Sequence, residues 1–218
     1  MVAPLIYSIT PALLFVQLPP QFPSVSLPPA ATLPPNASDD DEDDTDVCVE
    51  YAFQAVACFC VLFNNPQYQN QVIQALSSPQ SVPSLRMYNN CPPLYLQFTY
   101  IIYKYISESS EELETSMLDC FSSLILGNTA AFVSFFDLAA KTLLSIQRIT
   151  IPGSQDSIRI TDSNNSTAAK YKEIIQKCLA TLFSQSQQPQ QRMAFFNDLN
   201  DKQKSLLTSF YNLQSLSS

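Results

Sequence analysis

The 218-residue chain has no histidine, no tryptophan and only two glycines, Gly127 and Gly153. Without histidine there is no Ser-His-Asp or Cys-His catalytic unit and no HExxH zinc site. Two isolated glycines cannot build a phosphate-cradling loop or a dinucleotide fingerprint, each of which needs several in a short span. Bases are also scarce: none precedes Arg86. No nucleophile, base and orienting group stand together in the sequence, and carboxylate pairs such as Glu111-Glu112 or Asp198 with Asp201 fall at expected helix starts and turns, where capping explains them. The reading is of a non-enzymatic protein without cofactor or metal.

What is present is a core-forming body with one acidic block. Hydrophobic residues make up 46% of the chain, enough to bury a core. The net charge of −8 is concentrated in Asp39, Asp40, Asp41, Glu42, Asp43, Asp44, Asp46 and Glu50, which leaves the remaining acids and bases balanced. A neutral body with one acidic run does not suit nucleic acid. It suits a basic protein segment, so Asp39, Asp40, Asp41, Glu42, Asp43 and Asp44 are the candidate partner-binding residues. A solvated tether is the structural alternative, and the helix dipole accounts for acids close to the following helix.

Nine of the 16 prolines lie in residues 1–35, so 1–38 reads as a Pro-rich non-globular or partly extended leader, 39–46 as an acidic linker and 47–218 as the helical domain. Ala12–Val16 followed by Ser24-Val25-Ser26 leaves a secretory signal open, although no basic residue precedes it and Pro4 and Pro11 interrupt it. Six cysteines fit either buried thiols in a reducing compartment or three disulfides, and most sit in apolar helical segments. Residues 47–63 are nearly free of polar interruptions, yet their length and acidic flank suit a packed core helix better than a membrane span.

From residue 46 onward the period is helical. Helices are expected at 46–63, after Pro66, from Pro93, over 111–126 and over 129–147, then from Thr167, around Met193 to Leu199, and after Asn200 or Asp201. Leu113, Met117, Cys120, Phe121 and Leu124 form one stripe, and Tyr171, Ile175, Cys178 and Leu182 another. Gly127 is placed for a C-terminal cap. Tyr95, Tyr100, Tyr103 and Tyr105 spread over more than one helix face and read as packing residues, with a peptide groove as the alternative. Around Pro152-Gly153, Ile149, Ile151, Ile158 and Ile160 allow a hairpin, but the polar content favours a long inter-helix loop. The expected fold is all-α, with antiparallel helix pairs stacked as an α-α solenoid; a compact helical bundle would give the same periodicity.

The stretch Glu111–Phe121 with Gly127 and Phe132, and the closing segments Ile174–Leu179 and Phe195–Leu207, resemble HEAT-repeat helices from the C-terminal region of the karyopherin (importin-β-like) family. The resemblance implies a HEAT-like solenoid fragment that binds protein cargo, in the cytoplasm or nucleus, with acidic loops for basic import signals. The chain departs from that family in its short length and in lacking N-terminal Ran-binding repeats. The alternative is a secreted, disulfide-stabilised all-α interaction protein.

Overall fold

The computed structural model describes residues 3–16, 18–19, 41–85, 93–109, 112–154, 156–186 and 189–213. The chain is predominantly helical and forms two compact units, Met1–Tyr105 and Ile106–Ser218.

In the N-terminal unit, helices α1 (Ala3–Ile9), α2 (Asp41–Phe63) and α3 (Gln69–Ser77) precede α4 (Tyr95–Ser109), which runs across the boundary into the second unit. The stripe on α2 is Ala52, Ala55, Val56, Phe59 and Phe63, all buried, while Tyr51, Gln54, Cys58 and Val61 face solvent. Such one-sided burial at helical spacing is that of a core helix. Among the described residues no single helix is long and apolar enough to cross a membrane; the bent pair Thr115–Gly127 and Thr129–Ser145 meets that test by length and composition only. Phe53 of α2 stacks on Tyr105 of α4, with ring planes within 6°.

The leader reading changes over its first residues. Residues 3–9 are α-helix and Thr10–Phe15 a 3-10 turn. The turn packs on α2, and α1 packs on α3. Ile6, Leu13, Leu14 and Val16 are buried. The prolines do not prevent this, because Pro11 stands in the first turn of its segment, where its missing N–H has no partner to lose. Within the proposed leader, residues 20–38 lie outside the described residues.

The C-terminal unit begins with a correction. Glu112–Glu114 is a strand, β1, and not the first turn of a helix; α5 spans Thr115–Gly127. After it, Thr129–Phe135 is a 3-10 segment that leads into α6, Phe136–Ser145. The chain turns by 96° between α5 and Thr129–Ser145, so these arms cross near a right angle where antiparallel pairing was expected. Gly127 is the last residue of α5, and the cap position falls to Asn128, whose N–H donates to the Leu124 carbonyl. The stripe Leu113, Met117, Cys120, Phe121 and Leu124 is buried as the spacing requires.

The region expected to be a loop instead forms strands β2 (Arg148–Thr150) and β3 (Ser157–Arg159). They pair antiparallel, and β1 joins β2 in parallel to give a three-stranded sheet in the order β1-β2-β3. Gly153 at φ +79° follows Pro152, and the Ser154 N–H donates to the Ile151 carbonyl at 2.9 Å, a Pro-Gly turn of the type that needs φ > 0 at its third position. A parallel pair needs a long crossover, and α5, the 3-10 segment and α6 supply it. Leu113, Ile149 and Ile158 share one row of the sheet; Leu113 and Ile149 are fully buried.

Helix α7 (Ser166–Gln185) packs on α5, α6 and the 3-10 segment. Asn165 caps it by accepting from the N–H groups of Thr167 and Ala168, and its inner face is Tyr171, Ile175, Cys178 and Leu182, as expected. Then come α8 (Pro189–Asp198) and α9 (Asp201–Ser205), the latter opened by a capping box between Asn200 and Gln203. The last turn, Leu206–Phe210, is π-helical. The residue pattern of this closing segment predicts Leu206, Leu207, Phe210 and Leu213 buried; Leu207 is buried, and Leu206, Phe210 and Leu213 are half-buried.

Candidate functional site

The C-terminal unit carries an open groove of about 970 Å³ between the 129–141 segment and α8. Its floor comes from an aromatic cluster. Phe136 lies 6.0 Å from Phe183 and 5.7 Å from Phe195, and Phe183 lies 5.4 Å from Phe195, in edge-on and tilted arrangements. These rings come from three different helices, so the cluster ties α6, α7 and α8 together at the base of the groove. Val133, Ala130 and Ala194 continue the apolar lining, with Ser134, Gln185 and Gln191 at the edges.

Three charged side chains line it: Asp137, Lys141 and Asp198. Lys141 donates to the Asp198 carboxylate, and this contact holds the Asp198 carboxyl below the usual carboxylate range. Asp137, in the first turn of α6, has no ion-pair partner among the described residues. The helix dipole favours a carboxylate there. With Lys141 and Asp198 cancelling, the groove presents one negative charge above an apolar floor.

The acidic run is only in part visible. Asp39 and Asp40 lie outside the described residues. Asp41, Glu42, Asp43 and Asp44 occupy the first four positions of α2, which starts five residues earlier than its apolar period shows. This run belongs to the N-terminal unit and the groove to the C-terminal one.

Of the groove residues, the sequence singled out Asp198 alone, as a carboxylate near a helix end. The signal for the others was present in Phe195-Phe196 and in Asp137, which follows two phenylalanines.

Helix α7 carries two buried polar groups. The Tyr171 hydroxyl donates to Asp119 Oδ2 at 3.0 Å, and burial with the nearby Asp119 charge pushes its pKa up to about 12. Tyrosine is neutral in its protonated form. Its folded pKa above the unfolded value of about 10 means the contribution is complete below pH ~10 and is lost as pH rises toward 12. Chain stability is therefore expected to fall across that window, and Tyr171→Phe to flatten the fall, as urea midpoints against pH would show. An unchanged slope would contradict it. Burial also pushes the Cys178 thiol up to about 12, and its Sγ–H donates to the Ser122 carbonyl. Cys58, Cys120 and Cys178 are free thiols; Cys120 and Cys178 are buried and Cys58 is exposed. Among the described residues no group of three or more His, Cys, Asp or Glu side chains is arranged to hold a metal ion.

Comparison with protein-family models, with curated proteins and with solved structures finds no match for the chain.

Proposed function

We propose that the chain is a helical protein-binding scaffold that receives a short basic and apolar segment of a partner protein in the groove of its C-terminal unit. The observation that carries this reading is the joining of an aromatic floor (Phe136 and Phe195) to an unpaired carboxylate, Asp137, in an open groove. An apolar residue of the partner would cover the rings, and an adjacent Lys or Arg would meet Asp137. Short segments laid into a groove of this kind gain affinity from a few buried anchors and orientation from charge.

The acidic run Asp39–Asp44 fits the same partner chemistry. Its part in the proposal is to speed encounter with a basic segment through its field, an effect that salt weakens. The likeness to transport-receptor fragments enters here too, as a proposed HEAT-like layering with nuclear or cytoplasmic cargo. Its support is the helical spacing of 94–147 and 166–213 and the packing of α7 on both α5 and α6.

The test is fluorescence anisotropy of the full chain with a labelled peptide in which Leu or Phe is flanked by Arg and Lys. Ala194 is exposed at the groove, so Ala194→Arg should leave the fold intact while blocking and repelling the peptide. A loss of affinity of roughly tenfold or more is expected, since like charge at an interface costs several kcal/mol. Asp137→Asn should cost about twofold to fivefold, the range of an exposed ion pair. Replacing Asp39–Asp44 by Ser and Asn should slow association and flatten its salt dependence. Unchanged binding in Ala194→Arg would remove the groove from the mechanism.

A further inference from the structure

The three-stranded sheet sets two like charges side by side. Arg148 of β2 stands opposite Arg159 of β3, and Glu112 of β1 completes the row. The Ile160 N–H donates to the Gln147 carbonyl at 2.9 Å. That makes Gln147 and Ile160 a hydrogen-bonded pair, and the next pair, Arg148 with Arg159, the closer, non-hydrogen-bonded kind. Like charges opposite one another on paired strands are destabilising. Glu112 relieves one of the two: Arg148 Nε lies 2.8 Å from Glu112 Oε1. The Arg148 side chain also donates to the Ser157 hydroxyl. The guanidinium of Arg159 has no hydrogen bond or ion pair among the described residues.

A cavity of about 380 Å³ opens beside this row. Its lining includes Arg148, Arg159, Lys202, Ile146, Ile160 and Leu206, and no carboxylate among the described residues. Ile146 and Ile160 are buried and Leu206 is half-buried. Lys202 donates to the Gln147 side chain and has a further interaction besides, so its charge does not enter the balance. Asp162 lies in an adjoining cavity, where it accepts from the Asn164 N–H. With Glu112 answering Arg148, the charge left over in the row is the single one of Arg159.

The geometry points to a binding site for the carboxylate of a short aliphatic chain. The planar fork of Arg159 matches the two oxygens of a carboxylate. A carboxylate brings one negative charge, which balances the one guanidinium left over. A phosphate monoester would bring close to two at neutral pH and leave the second unmatched. Ile146, Ile160 and Leu206 receive the chain, and the cavity volume lies in the range of small-ligand sites, roughly 300–1,000 Å³. The carboxylate belongs either to a free acid or to the C-terminus of a peptide, and the experiment separates the two. This site is distinct from the groove between the 129–141 segment and α8 and stands whether or not that groove binds a partner.

The experiment is isothermal titration of the full chain with hexanoate, acetate and hexanamide. Hexanoate should bind saturably at one per chain. Hexanamide keeps the chain without the charge, and acetate the charge without the chain. Each should bind at least roughly tenfold more weakly, the first from lost charged hydrogen bonds and the second from lost methylene burial. Arg159→Gln should weaken hexanoate by roughly tenfold, the usual effect of losing a hydrogen bond between charged groups. Arg159 is exposed, so the variant should melt as the parent does. Lys177→Gln, outside the cavity lining, should change nothing. The dipeptide N-acetyl-Leu-Leu assigns the source: displacement of hexanoate with higher affinity makes it a peptide C-terminus, and weaker or no displacement makes it a free acid. Absence of saturable hexanoate binding, hexanamide binding equally well, or full affinity in Arg159→Gln would overturn the assignment.

Discussion

Replacing Phe183 by alanine should remove about 3–5 kcal/mol of stability from the C-terminal unit, the usual cost of truncating a buried phenylalanine. Phe183 is 1% exposed, and its ring packs edge-on against both Phe136 and Phe195. Loss of the ring forfeits its transfer from water and leaves a void that three separate helices cannot close without moving. The same void lies beneath the groove, so peptide affinity should fall along with stability. Urea unfolding followed by amide exchange within α7 and α8 reads the first effect, and peptide anisotropy the second. A stability change below about 1 kcal/mol would mean that the cluster is not the tie between α6, α7 and α8.

The second large effect is expected near the N-terminus. Leu13 is fully buried, in a 3-10 turn packed on α2. Leu13→Ala should cost about 2–5 kcal/mol. An extended, solvated leader would tolerate the change with no measurable loss. Equilibrium unfolding of the variant beside the parent separates the two, and an unchanged midpoint would return residues 3–16 to the leader.

These two cases show what the residue pattern conveys and what it conceals. Helix α7 was legible because Tyr171, Ile175, Cys178 and Leu182 recur at helical spacing over about three turns. The α5 stripe was legible for the same reason. Strand β1 was not, because Glu112-Leu113-Glu114 directly precedes a helix and three residues are too few to reveal a period of two. The patterns Arg148-Ile149-Thr150 and Ser157-Ile158-Arg159 do alternate polar, apolar, polar. Each is so short that surrounding Ser, Asp and Asn outweigh it, and what stabilises the strands is pairing between segments distant in the chain. The leader misled in another way. Proline counts argue for extended chain, but a proline in the first turn of a helical segment costs little, and Ile6, Leu13 and Leu14 were free to be drawn into the core.

The candidate sites follow the same division. The acidic run is a composition signal and needs no fold to be noticed. The groove needs Phe136, Asp137, Phe195 and Asp198 to meet from helices some 60 positions apart in the chain, and no local pattern announces that. The row Glu112-Arg148-Arg159 likewise exists only through strand register.

Amide exchange of the full chain, with and without a peptide carrying Leu or Phe between basic residues, tests the docking proposal most directly. Slowed exchange at Ala130–Lys141 and Gln191–Asp198, lost when Ala194→Arg is introduced, is the expected result. Peptide bound with no slowing at either segment, or with the same slowing in Ala194→Arg, would contradict it.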